Sequence, residues 1–581
     1  MAAPPKPALF GRRFLRHLAE LTRIYWRSTD APRGALLLGG TVLLELATVY
    51  GNLLLSDVER RVIDAFQDRQ SAVFVASIAV LGATAAGFVL VAAYRVYLRQ
   101  LLEIRWREKV TNHYVGRWMS EHAFAQLQLR HAQLDNPDQR ISEDVRDFVA
   151  SALGLSLSLL AALATLVSFG GLLWRLSANW ALPIDGRHYH VPGVLLWIAL
   201  AYAAGSTRLT HVVGRRLVPL NYDRLRYEAD FRYDLMRFRD NIEAVTLSRG
   251  EASERRSAAA RFQRVIQNFR ELITAQRNLT LFTGVFGQAN NIVPLVVAAP
   301  GFFAGLISLG TVVQIRFAYG QVSGALNWFV FGYQEIARWR ANVERLATFA
   351  EVMDETEKDL AISTLRVVPT ATPHLRLEDL RLDTPGGDPI IDTVSATVLP
   401  GERIAITGPS GAGKTVLLRA IAGAWPFGGG RIHRPSDETM LFVPQWPYLP
   451  DGSLRAAVSY PADSGAFPDH VIREVLGLLG LERLSGRLDD VAPWNQILSP
   501  HERQRLSVAR VLLRSPDWLF LDKATSALDE ETERLVYELL LERLPGATII
   551  SIAHRASIGN FHHRFWTITR GPAGPSSLRA A

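Results

Sequence analysis

The chain has 581 residues, 48% of them hydrophobic and 21% charged, with a formal net charge of +8, no cysteine and a mean hydropathy of +0.08. Folded surfaces need polar residues, so a positive mean hydropathy at this length is unusual for a purely soluble protein, and the missing cysteines exclude disulfides, thiolate zinc sites and cysteine nucleophiles. With 43 glycines and 29 prolines a collagen-like or disordered chain is excluded too, and the apolar residues concentrate in the first ~330, as in a membrane half followed by a soluble half.

Residues 1–33 carry Arg12, Arg13 and Arg16 ahead of Ile24, Tyr25 and Trp26. That is no cleavable signal but an amphipathic entry helix, expected to lie along the membrane interface. A helix needs ~20 apolar residues to cross ~30 Å of hydrocarbon. Six stretches qualify: 34–55, interrupted by Glu45; 72–94 and 149–174, both uncharged; 191–209, interrupted by Arg208; 279–307, where Pro294 and Pro300 imply a kink or an early exit; and 309–331, interrupted by Arg316. An intramembrane carboxylate is costly and by default functional, which makes Glu45 a transport-pathway candidate.

Lys and Arg alternate between connections. They are dense before the first span, after the second (Arg95 through Arg146) and after the fourth (Arg208 through Arg277), and sparse elsewhere. By the positive-inside rule both termini and the two long loops are cytoplasmic, in a multi-pass protein of the inner (plasma) membrane. The same rule accounts for the basic excess, so no nucleic-acid partner is expected. The long loops, 99–133 and 224–269, lack proline and space their apolar residues as helices do.

The domain reading is then an entry helix over 1–33, a transmembrane domain over 34–350, a linker over 351–374 with Pro369 and Pro373, a nucleotide-binding domain over 375–570 and a tail over 571–581. The fourth of these segments carries the chemistry. Arg403-Ile-Ala-Ile-Thr407 reads as a buried strand. Directly after it come Gly408, Pro409, Ser410, Gly411, Ala412, Gly413, Lys414 and Thr415, and then a helical run from Val416. This is the P-loop in its strand–loop–helix setting. Its glycines let backbone N–H groups curl around phosphates, Lys414 reaches the terminal phosphates and Thr415 can ligate Mg²⁺. Downstream, Trp518-Leu-Phe-Leu-Asp522 is an apolar strand ending in the carboxylate that such a site needs for its metal.

These motifs, with Gln445 in Val-Pro-Gln-Trp-Pro-Tyr, Leu498-Ser499 followed by Arg503-Gln504-Arg505, Ser526-Ala-Leu-Asp529 and His554 in Ile-Ala-His-Arg, resemble the nucleotide-binding domain of ABC transporters. The membrane half agrees. Leu101-Leu-Glu-Ile-Arg-Trp-Arg107, Asp135-Asn-Pro-Asp-Gln-Arg-Ile-Ser-Glu-Asp144, Glu228-Ala-Asp-Phe-Arg-Tyr233 and Ala298-Ala-Pro-Gly-Phe-Phe-Ala304 are similar to the SbmA/BacA-like branch, akin to peroxisomal fatty-acyl transporters. The resemblance implies a six-span α-helical exporter-type domain followed by an α/β P-loop domain, with ATP and Mg²⁺ as cofactors. It implies that Gln445 ligates the metal and senses the membrane half, that Ser499 meets the γ-phosphate bound to the other subunit, and that Asp522 supports Mg²⁺. Asp529 would lie at the dimer seam and His554 touch the γ-phosphate.

Three positions depart from the family. Lys523 stands where a glutamate usually polarises the attacking water, and a cationic ammonium cannot accept a proton. Leu498-Ser499 is followed by Pro500, His501 and Glu502 instead of glycines, and Pro500 has no N–H to donate. No aromatic residue lies between Leu375 and Gly423 to stack on adenine. Loss of a positioned base removes ~10²–10⁴ of rate, so slow hydrolysis is expected. One membrane domain with one ATP-binding domain makes half a transporter, working as a homodimer, with a heterodimer also compatible. The expected function is ATP-driven alternating access that imports peptides, cobalamin-like or other bulky hydrophilic cargo. The alternative is a proton-coupled carrier with a regulatory ATP-binding domain, supported by Lys523 and Glu45. A soluble P-loop ATPase acting on DNA fails on the six spans.

Overall fold

A computed structural model of the chain describes residues 11–120, 136–178, 181–184, 187–370, 372–436, 439–552, 555–570 and 574–580. They form two compact units. The first runs to Val115 and from Asn136 to Phe349; the second takes up from Gly116 and again from Ala350.

The first unit is helical. Helix α1 (Arg12–Trp26) buries Phe14, His17, Leu21 and Tyr25, a stripe repeating every three or four residues, and leaves its arginines outside. Tyr25 stacks on Trp106 at 5.8 Å, and Lys109 pairs with Asp30 at 2.8 Å, so the entry helix is anchored by aromatic packing and a charge pair. Among the described residues four helices are long and apolar enough to cross a bilayer: α2 (Ala31–Gln67), α3 (Ser71–Trp118), α4 (Pro137–Leu176, with one π turn at Arg140–Asp144) and α8 (Glu251–Phe303). The other two expected spans fold as helices α5 (Val194–Gly214) and α9 (Leu309–Leu326). Arg208 dilutes the first of these, and Gln314 with Arg316 the second. Between α4 and α5 a hairpin of β1 (Ala181–Ile184) and β2 (Arg187–His190) occupies a connection for which no strand was expected.

Two expectations change. Helix α8 carries Pro294 and Pro300 in its interior and ends at neither. The stretch 309–331 breaks at Asn327, where α9 ends and α10 (Trp328–Ile362) begins. The second long loop folds as α6 (Leu217–Asp240) and α7 (Ile242–Leu247), interrupted at Asn241 and again before Glu251; residues 121–133 of the first loop lie outside the described residues. Phe169 and Leu173, Leu195 and Ala199, Ala298, and Ile315, Tyr319 and Val322 form one core that ties α4, α5, α8 and α9 together.

In the second unit, beside a short pair of β9 (Gly452–Ser453) and β10 (Val491–Ala492), a ten-stranded sheet has the order β3 (Leu365–Pro369), β7 (Gly428–Arg434), β4 (Leu375–Asp383), β5 (Pro389–Val398), β14 (Ser576–Ala580), β13 (Arg564–Arg570), β6 (Arg403–Thr407), β12 (Thr548–Ile552), β11 (Trp518–Asp522), β8 (Met440–Val443). Its parallel heart is β6 (Arg403–Thr407), β12 (Thr548–Ile552), β11 (Trp518–Asp522) and β8 (Met440–Val443). Strands covered on both faces read as near-continuous apolar runs, as β11 does up to Asp522 and β12 does apart from Thr548 and Ser551. Their side chains alternate. Leu519, Leu521 and Ile549 join a core with Leu476, Trp494 and Leu506, whereas Trp518, Phe520, Ile550 and Ile552 join Ile404, Leu417 and Trp566 on the other face. Strands β4 (Leu375–Asp383), β5 (Pro389–Val398) and β7 (Gly428–Arg434) pair antiparallel around β4. The stretch read as a linker contains β3 (Leu365–Pro369), paired with β7. The stretch read as a tail contains β14 (Ser576–Ala580), paired with β13 (Arg564–Arg570).

Candidate nucleotide site

The turn between β6 and α11 (Lys414–Ile421) sits at the end of the parallel strands. Two of its glycines are required by geometry. Gly408 has φ +139°, and a Cβ there would lie 2.3 Å from Ile568 O. Gly413, with φ +97°, precedes the helix, and its Cβ would lie 2.8 Å from Ile390 Cγ2. A side chain at either position would collide or strain the turn. The chain is thereby held in a curl whose backbone N–H groups and helix start form a cradle suited to phosphate oxygens.

Lys414 is 5% exposed and donates to Gly408 O (2.6 Å) and Pro409 O (2.8 Å), so its ammonium is folded over the loop it serves. Burial pushes this ammonium below the usual lysine range, the charge of Lys523 pushes the same way, and Asp522 opposes both. The Thr415 hydroxyl donates to Asp522 Oδ1 across 3.1 Å, joining the first turn of α11 to the end of β11. A hydroxyl and a carboxylate side by side are the hard oxygen donors that fit Mg²⁺, which takes one or two protein ligands beside phosphate oxygens and water. Lys523, directly after Asp522, has φ 52°. A residue with a side chain holds that left-handed conformation at a cost of about 1–3 kcal/mol, the kind of strain that gathers at functional turns.

Sequence reasoning did not assign a role to Gln504, which organises the other wall. From α15 (Pro500–Arg514), which follows α12 (Leu454–Ser459), α13 (Asp469–Leu478) and α14 (Trp494–Ile497), its buried amide donates to Gln445 O (3.1 Å) and to the Ser526 hydroxyl (3.3 Å), and its oxygen accepts the Ala527 N–H (2.8 Å). Gln445 Nε2 reaches the same hydroxyl at 3.4 Å. Glu533 was missed as well. It is 3% exposed, accepts from the Thr525 hydroxyl (2.5 Å) and pairs with Arg555 (3.3 Å), while Arg555 also donates to Leu528 O (2.9 Å). The turn after β11 is therefore gripped from α15 on one side and from α16 (Glu530–Arg543) on the other. A glutamine flanked by two arginines just inside the helix after Ser499 was the available signal for the first grip. The second had none, because residues eight and 22 positions from Glu533 meet only in the fold.

Ser499 caps α15. Its hydroxyl accepts the Glu502 N–H, and Glu502 accepts the Ser499 N–H (3.0 Å), a reciprocal capping box. Pro500 takes the first helical position, where a missing N–H costs nothing. Burial alone would raise the Glu502 carboxyl, but the Arg483 guanidinium and the Ser499 amide and hydroxyl outweigh it and hold it below the usual range. Asp529 caps α16, accepting from Thr532 N–H (2.8 Å), and that bond keeps its carboxyl low. His554 lies outside the described residues. Trp425, the first aromatic after the loop, is buried and donates to Asp383 O, so it presents no open face for a base.

In the membrane unit Glu45 does not stand alone: Arg95 of α3 pairs with it at 2.6 Å. Arg316 is exposed on α9.

The family profile for ABC transporter transmembrane region 2 matches residues 21–303, and that for ABC transporter matches 391–526. An uncharacterized ABC transporter ATP-binding protein of Synechocystis is 34% identical over 546 residues, 91% of this chain and 79% of the relative. The human lysosomal cobalamin transporter ABCD4 is 29% identical over 497 residues, 80% of this chain and 79% of that protein. In fold, a bacterial Atm1-family ABC exporter solved with ATP bound superposes with a TM-score of 0.68 at 18% identity, covering 93% of this chain and 94% of that one. With an ATP-binding domain of P-loop architecture and a helical membrane domain of exporter type on one polypeptide, the chain belongs to the ABC transporter family, as a half-transporter related to the ABCD proteins.

Proposed function

We propose that two copies of this chain form a homodimeric importer of the SbmA/BacA-like branch, multi-pass in the inner (plasma) membrane with both termini cytoplasmic. ATP bound between the two copies favours one of two membrane arrangements and hydrolysis releases it, to the extent of ATP's differential affinity for the two. The observation that carries the reading is the convergence of Lys414, Thr415 and Asp522 on one phosphate cradle, in a chain whose described residues include four helices long and apolar enough to cross a bilayer.

In this reading residues 408–416 and Lys414 bind the phosphates, Thr415 and Asp522 hold the Mg²⁺ that arrives with ATP, and Gln445 approaches the same metal. Mg²⁺ supplies charge neutralisation between the phosphates. Ser499 and Asp529 sit at the seam with the second copy, and His554 reaches the γ-phosphate. Lys523 can steady negative charge but cannot take a proton from water, so turnover is slow. The cargo is bulky and hydrophilic, cobalamin-like or peptidic, a reading supported by the similarity to the cobalamin transporter. The proton-carrier alternative loses one of its two supports, because a carboxylate already paired with Arg95 is accounted for structurally.

Phosphate release by protein in lipid nanodiscs, beside Lys414→Ala, tests the proposal. Slow ATP-dependent release that vanishes in the variant is expected; ATP neither binding nor hydrolysed by the wild type refutes it.

A further inference from the structure

A cavity of about 520 Å³ opens in the membrane unit among α3, α4, α9 and α10. Most of its polar lining is already engaged. The Ser151 hydroxyl donates to Glu335 Oε1 (2.8 Å), and the Trp328 indole N–H donates to the Ser158 hydroxyl (3.0 Å). Arg99 is the exception. This half-buried guanidinium from α3 makes no hydrogen bond or ion pair with the described residues. The space before it is kept by Gly154 of α4, where a Cβ would lie 3.1 Å from Arg99 Nη2.

Helix α9 brings Gly324 to the same cavity. Four and eight residues earlier, on the same side of the helix, stand Gly320 and Arg316, all three exposed. A Cβ on either glycine would meet nothing within 4 Å, and Arg316 also lacks a partner among the described residues. The stripe is therefore open and carries a second unpaired guanidinium. Arg316 stands inside the sixth expected span, where an unpaired charge is expensive and belongs on a polar pathway, whereas Arg99 lies five residues past the apolar run 72–94 and owes its interest to the cavity it lines. Two other arginines of the same unit are neutralised internally, Arg95 by Glu45 and Arg345 by Asp144, while Arg208 of α5 is exposed and lines no part of this cavity. Arg99 and Arg316 are left for something that comes and goes.

We propose that Arg99 and Arg316 receive an oxyanion, a carboxylate or phosphate, borne by the transported cargo. The planar fork of a guanidinium matches both groups in paired hydrogen bonds, and Trp328 offers an apolar wall beside Arg99. This inference rests on the transporter reading and adds the chemical class of the cargo to it.

The test measures binding of a dansylated tripeptide with a free C-terminal carboxylate, and of its C-terminal amide, to full-length protein in phosphatidylcholine nanodiscs. Binding of a fluorescent ATP analogue is followed on the same samples. The free acid is expected to bind about tenfold tighter than the amide, the scale of one charge-assisted pair. Arg99→Gln and Arg316→Gln should each cut that preference to about twofold, and Arg99→Lys should restore part of it. If acid and amide bind alike, if neither binds at millimolar concentration, or if the preference survives both glutamine variants, the inference is overturned. A lipid headgroup is the competing source of the same chemistry. Arg99-dependent capture of phosphatidylglycerol in mixed nanodiscs, with no preference for the acid peptide, also overturns it. Intact ATP binding alongside any of these results leaves the transporter reading standing; lost ATP binding would count against that reading instead.

Discussion

Replacing Lys523 by glutamate asks whether a proton acceptor is what the hydrolytic site lacks. Lys523 follows Asp522 directly, with φ 52°, and its charge already acts on Lys414. Lysine and glutamate bear the same left-handed backbone cost of about 1–3 kcal/mol, so the exchange alters chemistry and leaves the turn alone. A positioned base contributes ~10²–10⁴ in rate, so kcat should rise at least ~100-fold, equivalent to about 2.7 kcal/mol off the barrier. The exchange also removes a positive charge beside the phosphates and adds a negative one. At about 1 kcal/mol each for partly exposed charges, ATP affinity should fall about 30-fold. Phosphate release and fluorescent-nucleotide binding in nanodiscs read both numbers. Lys523→Gln separates the causes: it drops the charge without supplying a base, so affinity should fall about fivefold while kcat stays within about threefold. Should the glutamine variant accelerate as much as the glutamate one, or the glutamate variant stay slow, the missing-base argument is refuted.

Removing the buried ammonium in Lys414→Ala should weaken ATP binding and lower phosphate release at least ~100-fold, read by the same two assays. Glu45→Gln strips Arg95 of its partner, so melting temperature should drop while uptake stays insensitive to a proton gradient; uptake that loses a proton dependence in this variant would revive the carrier alternative. The buried His562 ring lies 2.9 Å from Ile558 O and 3.0 Å from the Ser551 hydroxyl, and burial holds it below the ordinary imidazole value of 6.5. The unfolded chain therefore binds the proton first as pH falls. Stability present at neutral pH should decline below about pH 6.5, and His562→Gln should flatten that slope in thermal unfolding followed across pH.

Much of the site was legible because its chemistry depends on local spacing. The P-loop needs its glycines, lysine and threonine in one unbroken run between a strand and a helix, and Asp522 announces itself as the charged end of an apolar strand. What stayed hidden depends on contacts across the fold. Gln504, Ser526 and Gln445 converge from a helix, a turn and a loop, and Glu533 meets Arg555 across 22 residues. Pro500 read as a defect because the signature was compared with glycines; as the first residue of a capped helix it is a favourable choice. Glu45 read as a transport-pathway candidate, and its partner could not be named, because Arg95 lies 50 residues away on the next helix. In the membrane half, hydropathy located the helices well but set the ends of α8 and α9 badly. Proline does not stop a helix that its neighbours hold, and Asn327 interrupts a run that composition alone would continue.

In the proposed cycle, ATP clasped by two copies rearranges the membrane helices. The chain has no cysteine, so a single label introduced as Gln70→Cys, in the turn between α2 and α3, reports without background. Electron–electron distances between the two labels of a homodimer in nanodiscs should shift to a new population on adding ATP, and should not shift in a chain that also carries Lys414→Ala. A distance distribution unmoved by ATP in the singly labelled chain, with nucleotide demonstrably bound, would contradict the account.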